Sequence, residues 1–390
     1  MTSVGHSRWR LPMSEIFAVK ETASSGRAIV TQINAPPGCH LLTTESKHSP
    51  IAHVILRPYR RAVCAWCFLY DRGRQWKIRD LAEGMAFCSI QCRTHWHANN
   101  DTVCREAFRA IETSIKGQAT RQNHGAMEES TYEGSAFVEG SASPDSVDEA
   151  WAMVKEQGTA VVRARTATKP SKAQRAIVGH AADLTSDPDI LSYVLSGILA
   201  TYRSGGSHSD GNGCVISIDA EDLLPSLFEL VPDEKVFVEN HMTPSPLDDY
   251  TSTYLLLLAL LPATLLPLIA PKLVINLASR AAHNAFSIRP EGTTDGDQSG
   301  EFLGWGVWPE ASFFNHSCRP NVRKDRIGRL WSFTVDIDAG KTVQQGQQLC
   351  ITYLGGDERD LDVAERRKKL QEQWGFRCLC DRCLEESGES

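Results

Sequence analysis

The chain has 390 residues, of which 42% are hydrophobic and 23% are charged. This balance is typical of globular proteins and excludes wholesale disorder, and the length predicts about two to three domains. Lysine and arginine number 41 against 48 aspartate and glutamate residues, which gives a formal net charge of −7. A nucleic-acid-binding protein is therefore disfavoured, although basic residues at 57–61 and 72–79 give one segment a local basic face.

Neither export nor a membrane span is expected. The N-terminal sequence MTSVGHSRWRLPMSEIF contains no uninterrupted apolar run, which a secretory signal would need. In a chain without such a signal, closely spaced cysteines indicate metal binding rather than disulfides. The uncharged segment from Tyr254 to Pro271 contains three prolines. A spanning helix needs about 20 apolar residues and prolines break helices, so this segment predicts short buried helices.

The first third of the chain changes character three times. Residues 14–60 contain short apolar runs separated by SSG and PPG, a pattern that predicts strands joined by turns. A cysteine-rich segment follows, and residues 105–116 then form a predicted helix. Residues 117–146 are small and polar and predict a flexible loop, because such a composition buries little apolar area.

Helical patterns fill the middle of the chain. The clearest is Asp189–Tyr202, in which the apolar residues form one stripe with helical spacing, and Tyr250–Ala281 continues the helical region. From Ala285 to Tyr353 the pattern returns to short strands, and a charged helix is predicted over Asp360–Gln373. These elements indicate an α+β protein in which a helical region separates two strand-rich regions.

Three motifs in the last quarter of the chain indicate a specific chemistry. The first is Asn315-His316-Ser317-Cys318-Arg319-Pro320-Asn321, the second is Ile351-Thr352-Tyr353, and the third is Cys378-Leu379-Cys380-Asp381-Arg382-Cys383. Taken singly, they could be a turn, a core tyrosine and a structural clamp that lacks one ligand. Their order and spacing make a coincidence improbable.

Together these motifs resemble those of the SET-domain protein lysine methyltransferases, in particular the subgroup with a MYND-type zinc insert. The resemblance implies a SET fold of small curved β-sheets with a pseudoknot, interrupted by a degenerate MYND-like finger and a helical insert. It divides the chain into an N-terminal SET part, the finger, the helical insert, a C-terminal SET part and a post-SET zinc motif (14–60, 61–104, 105–281, 282–357 and 358–390). It also implies the short form that ends soon after the post-SET motif, with a more open substrate cleft.

The resemblance assigns S-adenosylmethionine as the cofactor and Tyr353 as the catalytic residue. It further implies that the cofactor is bound by a glycine turn, by an asparagine after the helical insert, by residues of the pseudoknot, by the catalytic tyrosine and by a C-terminal aromatic (Ser25, Gly26, Arg27, Asn284, Asn315, His316, Tyr353 and Phe376). Three of these have structural alternatives that stay open: Tyr353 as a packed aromatic, His316 as a buried core histidine, and Phe376 as a plug under the zinc loop.

The resemblance and the cysteine spacing together predict two zinc ions per chain. In the post-SET site, the pseudoknot cysteine completes a set of four ligands (Cys318, Cys378, Cys380 and Cys383). In the finger, one four-cysteine site remains (Cys64, Cys67, Cys88 and Cys92). The second finger site is predicted to be lost, since no cysteine or histidine lies between Phe68 and Phe87 and Asn100 precedes Cys104 by four residues. His95 and His97 are interpreted as surface residues, and a disulfide remains the alternative to the post-SET site.

The predicted function is S-adenosylmethionine-dependent methyl transfer to a lysine of a histone or non-histone protein. The alternative is a non-catalytic adaptor that binds a partner peptide through the finger or the SET pocket. The enzyme is favoured because Tyr353, Asn315 and His316 are all present, whereas a degenerate adaptor would be expected to have lost one. The expected location is the nucleus, the cytoplasm or both.

Overall fold

The computed structural model describes residues 13–22, 26–44, 50–125, 147–205, 224–237, 246–292 and 301–389. Ten α-helices are described within these ranges: α1 (Ile90–Asn99), α2 (Thr102–Gly125), α3 (Val147–Thr166), α4 (Lys172–Asp183), α5 (Pro188–Ser204), α6 (Pro225–Phe228), α7 (Pro246–Leu260), α8 (Pro271–Asn284), α9 (Val363–Trp374) and α10 (Asp381–Ser387). The strands are β1 (Phe17–Thr22), β2 (Gly26–Thr31), β3 (His40–Thr43), β4 (Ala52–Ile55), β5 (Ile78–Asp80), β6 (Met85–Phe87), β7 (Ala285–Ile288), β8 (Gly304–Val307), β9 (Asn315–His316), β10 (Val322–Ile327), β11 (Leu330–Val335) and β12 (Cys350–Ile351).

Strands from the two ends of the chain share the same small sheets. β3 pairs with β11 in the sheet β10-β11-β3, and β4 pairs with β8 in the sheet β4-β8-β7. In the second sheet, Ala52 of β4 lies opposite Val307 of β8. The segment of the chain between β4 and β7 is therefore an insertion between two strands of one sheet. This arrangement of small sheets and an inserted helical region confirms the predicted α+β SET architecture.

Helix α5 packs against strand β4 and against the inserted helices α2, α7 and α8. The Asp187 carboxylate caps this helix by accepting from the backbone N–H groups of Asp189 and Ile190, at 2.8 and 2.9 Å. The Tyr193 hydroxyl of α5 donates to the carbonyl of Leu277 on α8 at 3.1 Å, so the one polar atom on a buried ring has a partner.

The uncharged segment folds as short buried helices, as predicted. It is divided among the end of α7, a 3₁₀ helix over Ala263–Leu268 and the start of α8. Pro262 precedes the 3₁₀ helix and Pro271 begins α8, so the prolines set the boundaries. Among the described residues, no helix is long and apolar enough to cross a membrane.

The loop predicted over residues 117–146 is wrong in its first part. α2 continues as a helix to Gly125, whereas residues 126–146 lie outside the described residues. Ile115 and Gln118 of α2 are buried, and the Gln118 amide donates to the carbonyl of Leu184 at 2.9 Å. Contacts with the following helices thus extend a segment whose own composition gives little reason to be helical.

Candidate active site

A parallel pairing of two very short strands brings the first two sequence motifs together. Cys350 lies opposite Asn315 and Ile351 lies opposite His316. Immediately after β12, the backbone N–H of Tyr353 donates to Nδ1 of His316 at 2.9 Å. The Tyr353 hydroxyl donates to the carbonyl of Phe314 at 2.9 Å, so the ring is fixed at both ends.

Both side chains are held in their neutral forms. Burial lowers the pKa of His316 to about 4, so the imidazole stays unprotonated near neutral pH and its Nδ1 can accept the Tyr353 N–H. Burial also raises the pKa of the Tyr353 hydroxyl well above its ordinary value. The tyrosine can therefore donate and accept hydrogen bonds without carrying charge.

A cleft of about 830 Å³ lies beside this pair. Seven of the eight predicted cofactor-binding residues line it (Gly26, Arg27, Asn284, Asn315, His316, Tyr353 and Phe376). The eighth, Ser25, lies outside the described residues. Gly26 has a backbone φ of +63°, and the space where a side chain would point is open, so the main chain can approach a ligand closely at this turn.

Hydrogen bonds between the walls of the cleft fix its shape. The Asn315 amide donates to the Arg27 carbonyl at 3.0 Å and so ties the pseudoknot to the glycine turn. The Arg27 guanidinium lies over the Phe313 ring, 5.4 Å from its centroid, and pairs with the Glu229 carboxylate at 3.2 Å.

The asparagine at the end of α8 holds another part of the wall. The Asn284 amide donates to the carbonyls of Val231 and Arg280, at 3.0 and 2.8 Å. Asn284 and Asn315 therefore shape the cleft in addition to lining it.

Two aromatic residues from the C-terminal region cover the tyrosine. The Phe376 ring centroid lies 6.1 Å from that of His316 and 6.3 Å from that of Tyr353. Phe376 also packs against the cluster that contains the post-SET cysteines, so both interpretations of this residue stay open. The Trp374 ring centroid lies 5.4 Å from that of Tyr353. The sequence analysis does not predict Trp374 as a residue of the site. Its one sequence signal is an aromatic at the end of a charged helix, two residues before Phe376.

Tyr353 also lines a second cavity, of about 700 Å³. The two cavities share a wall formed by His283, Asn284, Ser312, Tyr353 and Trp374. The second cavity is otherwise lined by aromatic and charged side chains, among them Phe286, Phe314, Lys324 and Trp331. Tyr353 is thus part of the lining of both cavities.

The post-SET cysteines form a cluster that could hold a metal ion. The sulfurs of Cys318, Cys378, Cys380 and Cys383 lie within 4.8 Å of one another. Cys318 Sγ is 3.9 Å from Cys378 Sγ and 3.5 Å from Cys383 Sγ. Tetrahedral zinc with Zn–S bonds of about 2.3 Å requires sulfurs about 3.8 Å apart, so this donor set fits zinc. All four cysteines are free of disulfides.

The finger cysteines form the second such cluster. Cys64, Cys67, Cys88 and Cys92 also lie within 4.8 Å of one another. Cys88 Sγ is 3.6 Å from Cys67 Sγ and 3.5 Å from Cys92 Sγ, again the spacing that suits tetrahedral zinc. These are the two groups of potential metal ligands found among the described residues.

The other candidate ligands of the finger have different environments. Cys104 is buried in the hydrophobic core, outside either cluster, and burial raises the pKa of its thiol to about 11. His95 is exposed beside Trp66, with ring centroids 5.7 Å apart. His97 Nε2 lies 2.6 Å from the Asp80 carboxylate. None of the three belongs to a group of potential metal ligands in the described part of the chain.

Comparison with known proteins agrees with the family that the sequence motifs resemble. Residues 166–354 match the SET domain family. The chain contains a SET domain. The SET domain is a methyltransferase fold, and together with the relatives below this supports a SET/MYND-like methyltransferase.

The relatives include one of nearly the same length. "Potential protein lysine methyltransferase SET6" of Saccharomyces cerevisiae is 24% identical, over 96% of this chain and 96% of that protein. "Histone-lysine N-methyltransferase ASHR2" of Arabidopsis thaliana is 33% identical over 30% of this chain and 29% of its own length. "Protein-lysine N-trimethyltransferase SMYD5" of Mus musculus is 33% identical over 23% of this chain and 22% of its own length. The two relatives of higher identity are thus similar to this chain over less than a third of its length.

Proposed function

We propose that this SET-domain protein transfers a methyl group from S-adenosylmethionine to a lysine side chain of a protein. The observation that carries the proposal is the position of Tyr353 in the wall shared by two cavities. The predicted cofactor residues line one cavity, and the other is open to a side chain of a second molecule. A methyl group passing between the two would cross at the tyrosine.

The residues of the 830 Å³ cleft have roles that their geometry supports. Gly26 leaves room for a ligand to approach the main chain, and Asn315 holds that turn in place. Phe376 offers an aromatic face to a planar base, a contact worth about 0.5–1.5 kcal/mol beyond burial. When bound, S-adenosylmethionine would supply a methyl group on a positively charged sulfur.

Tyr353 and its neighbours would orient the amine. The Tyr353 hydroxyl and the Phe314 carbonyl together form a small polar patch in a cavity that is lined by aromatic and charged side chains. A neutral hydroxyl can bind an amine there without adding a charge, and most of the rate would come from fixing the approach direction. His316 acts indirectly, since its Nδ1 accepts the Tyr353 N–H and so positions the ring.

The post-SET zinc site would couple metal binding to this geometry. Cys318 belongs to the pseudoknot, whereas Cys378, Cys380 and Cys383 follow Trp374 and Phe376 directly in the chain. A zinc ion shared by these four residues would hold both aromatics against Tyr353. Binding of zinc would therefore favour a closed cofactor cleft.

The direct test uses labelled S-adenosylmethionine and total protein from a cell extract. The wild-type chain is expected to label protein, and Tyr353→Phe is expected to lower the rate by about 100-fold or more, because one polar group at the reacting atoms is lost. Calorimetry should show nearly unchanged cofactor affinity in this variant. His316→Ala is the matched comparison and should weaken cofactor binding as well as transfer. Full labelling by Tyr353→Phe would contradict the catalytic assignment.

An adaptor that binds peptides without catalysis is the second candidate. The exposed basic residues of the finger segment 72–79, Arg72, Arg74 and Lys77, are the feature that favours it. The enzyme is better supported, because the described cleft retains Asn315, His316 and Tyr353 in mutual contact. An adaptor would capture partner proteins equally well with Tyr353→Phe while the wild-type chain labels none of them.

A further inference from the structure

The turn between β10 and β11, formed by Gly328 and Arg329, packs against the finger beside its cysteine cluster. The guanidinium carbon of Arg329 lies 4.5 Å from the centroid of the Trp66 ring, and Trp66 directly precedes the cluster residue Cys67. A Cβ atom at Gly328 would lie 3.7 Å from the carbonyl oxygen of Cys67, so the two segments pack closely. The turn therefore rests on the loop that carries two of the four predicted ligands of the finger zinc.

Hydrogen bonds join this turn to the segment that follows β7, residues 289–292. The backbone N–H of Gly328 donates to the Glu291 carboxylate at 2.6 Å. The Arg326 guanidinium donates to the carbonyl of Gly328 and, at 2.6 Å, to the carbonyl of Arg289. The turn and the segment 289–292 are therefore held together, and a displacement of the turn would also move that segment.

Both of these parts of the chain contribute to the lining of the 700 Å³ cavity. Residues 289–292 line it from one segment, and Asp325, Arg326 and Trp331 line it from β10 and β11. The Trp331 ring centroid lies 5.3 Å from that of Phe286, which lines the same cavity. In the part of the chain that the structure describes, neither segment contributes a residue to the 830 Å³ cleft. Through this turn, the finger thus contacts the lining of one cavity and not that of the other.

We infer that zinc in the finger fixes this part of the lining of the 700 Å³ cavity and so controls how tightly the protein substrate binds. The inference rests on the proposed function, which assigns that cavity to the target lysine. Zinc would join two segments of the finger, residues 64–67 and 88–92, so loss of the metal should loosen the loop that carries Trp66. The ring would then no longer offer a fixed face to the Arg329 guanidinium, a cation–π contact for which tryptophan is the best partner. Trp66 and Arg329 are positioning residues, because they act on the cavity through the turn.

Amide hydrogen exchange measures this link without an activity assay. In Cys88→Ser, which should lose the finger zinc, exchange in peptides that cover residues 326–331 should become about tenfold faster than in the wild-type chain. Cys380→Ser, which should lose the post-SET zinc, is the matched control and should leave the exchange of these peptides unchanged. Elemental analysis should find one zinc ion in each of these variants.

A second pair of variants changes the contact and keeps the zinc ligands. Trp66→Ala retains all eight cysteines of the two clusters, so it should hold two zinc ions and still show faster exchange over residues 326–331. Trp66→Phe keeps an aromatic face for Arg329 and should stay closer to the wild-type chain. With labelled S-adenosylmethionine, Trp66→Ala should need about a tenfold higher concentration of total extract protein for half-maximal labelling. Its maximal rate, and its affinity for S-adenosylmethionine in calorimetry, should stay near those of the wild-type chain.

The possible outcomes separate this inference from the proposed function. Unchanged exchange over residues 326–331 in Cys88→Ser and Trp66→Ala would overturn the inference and leave methyl transfer intact. Equally fast exchange in Cys380→Ser would overturn it too, since the effect would then be a general loosening of the chain. Faster exchange with an unchanged half-maximal concentration would overturn the control of substrate binding. No labelling by the wild-type chain at any extract concentration would overturn the proposed function, and the role in substrate binding with it, whereas the exchange rates would still decide whether zinc fixes the cavity lining.

Discussion

The buried Arg366 should control how tightly the post-SET site retains zinc. Its side chain has no solvent exposure. Its Nη2 lies 3.7 Å from Cys383 Sγ and 2.6 Å from the Glu386 carboxylate. Four thiolates and one zinc ion carry a net charge of −2, and the guanidinium offsets part of it within a buried environment. We predict that Arg366→Met, which keeps most of the side-chain volume, weakens zinc binding at this site.

The expected size of the effect follows from the lost contact. A hydrogen bond to a charged group contributes about 1.5–3 kcal/mol, which corresponds to about 10- to 100-fold in affinity. Changes to groups that support metal ligands also cost about 10- to 100-fold in metal affinity. Glu386 keeps a partner in the variant, because Arg382 also pairs with it at 2.7 Å. The variant thus loses the contact with Cys383 Sγ and the hydrogen bond from Arg366 Nη1 to the Leu361 carbonyl, and of these two the contact with Cys383 touches a zinc ligand.

Competition with a chromophoric zinc chelator measures the effect. The finger zinc serves as an internal reference, and one of the two zinc ions should be released at a roughly 10- to 100-fold lower chelator concentration in Arg366→Met. Arg319→Gln is the matched control, since this arginine follows Cys318 but pairs with Glu385 at the surface, with 61% of its side chain exposed. Equal zinc retention by Arg366→Met and the wild-type chain would refute the reasoning, as would equal losses in both variants.

Two further predictions concern the fold and the zinc count. Gly304→Ala should destabilise the protein by about 3 kcal/mol in thermal or urea unfolding, because the added methyl would overlap the carbonyl of Val54 on the neighbouring strand. Gly355→Ala is the control, because the space for its added methyl group is open, and its free energy of unfolding should stay near that of the wild-type chain. Cys104→Ser should leave two zinc ions per chain by elemental analysis, whereas Cys88→Ser should leave one; a wild-type count of three would mean that further ligands exist.

The sequence predicts the lining of the 830 Å³ cleft better than that of the 700 Å³ cavity. Asn315, His316, Cys318 and Tyr353 lie in motifs whose residue order is informative by itself, and the structure places them in contact. The parallel pairing of β9 with β12 has no local signal, because each strand has only two residues. The family resemblance implies a pseudoknot but no particular strand pairing.

The lining of the 700 Å³ cavity depends on contacts between residues that are distant in the chain, and the amino-acid sequence alone does not reveal them. From the sequence, Lys324 would be interpreted as an exposed lysine on a charged strand. In the structure β10 pairs with β11, and the Lys324 side chain lines the 700 Å³ cavity. Trp374 reads as the end of an amphipathic helix until its ring is seen against Tyr353. The helix over 117–125 also depends on a contact between distant residues. Gln118 is buried and donates to the carbonyl of Leu184 at the C-terminal end of α4, and this contact overrides a composition that is typical of loops.

The pairing of distant strands has a consequence for synthesis on the ribosome. β4 is made early, but its partner β8 follows about 250 residues later, as the opposed pair Ala52 and Val307 shows. At a synthesis rate of about 5–20 residues per second, roughly 10–50 s pass between the synthesis of β4 and that of β8. The finger and the inserted helices can fold during this interval, while the unpaired edges of β3 and β4 offer hydrogen-bonding groups to other chains. A nascent chain that stops before β8 is therefore expected to require chaperone protection, whereas one released after β12 can close its sheets.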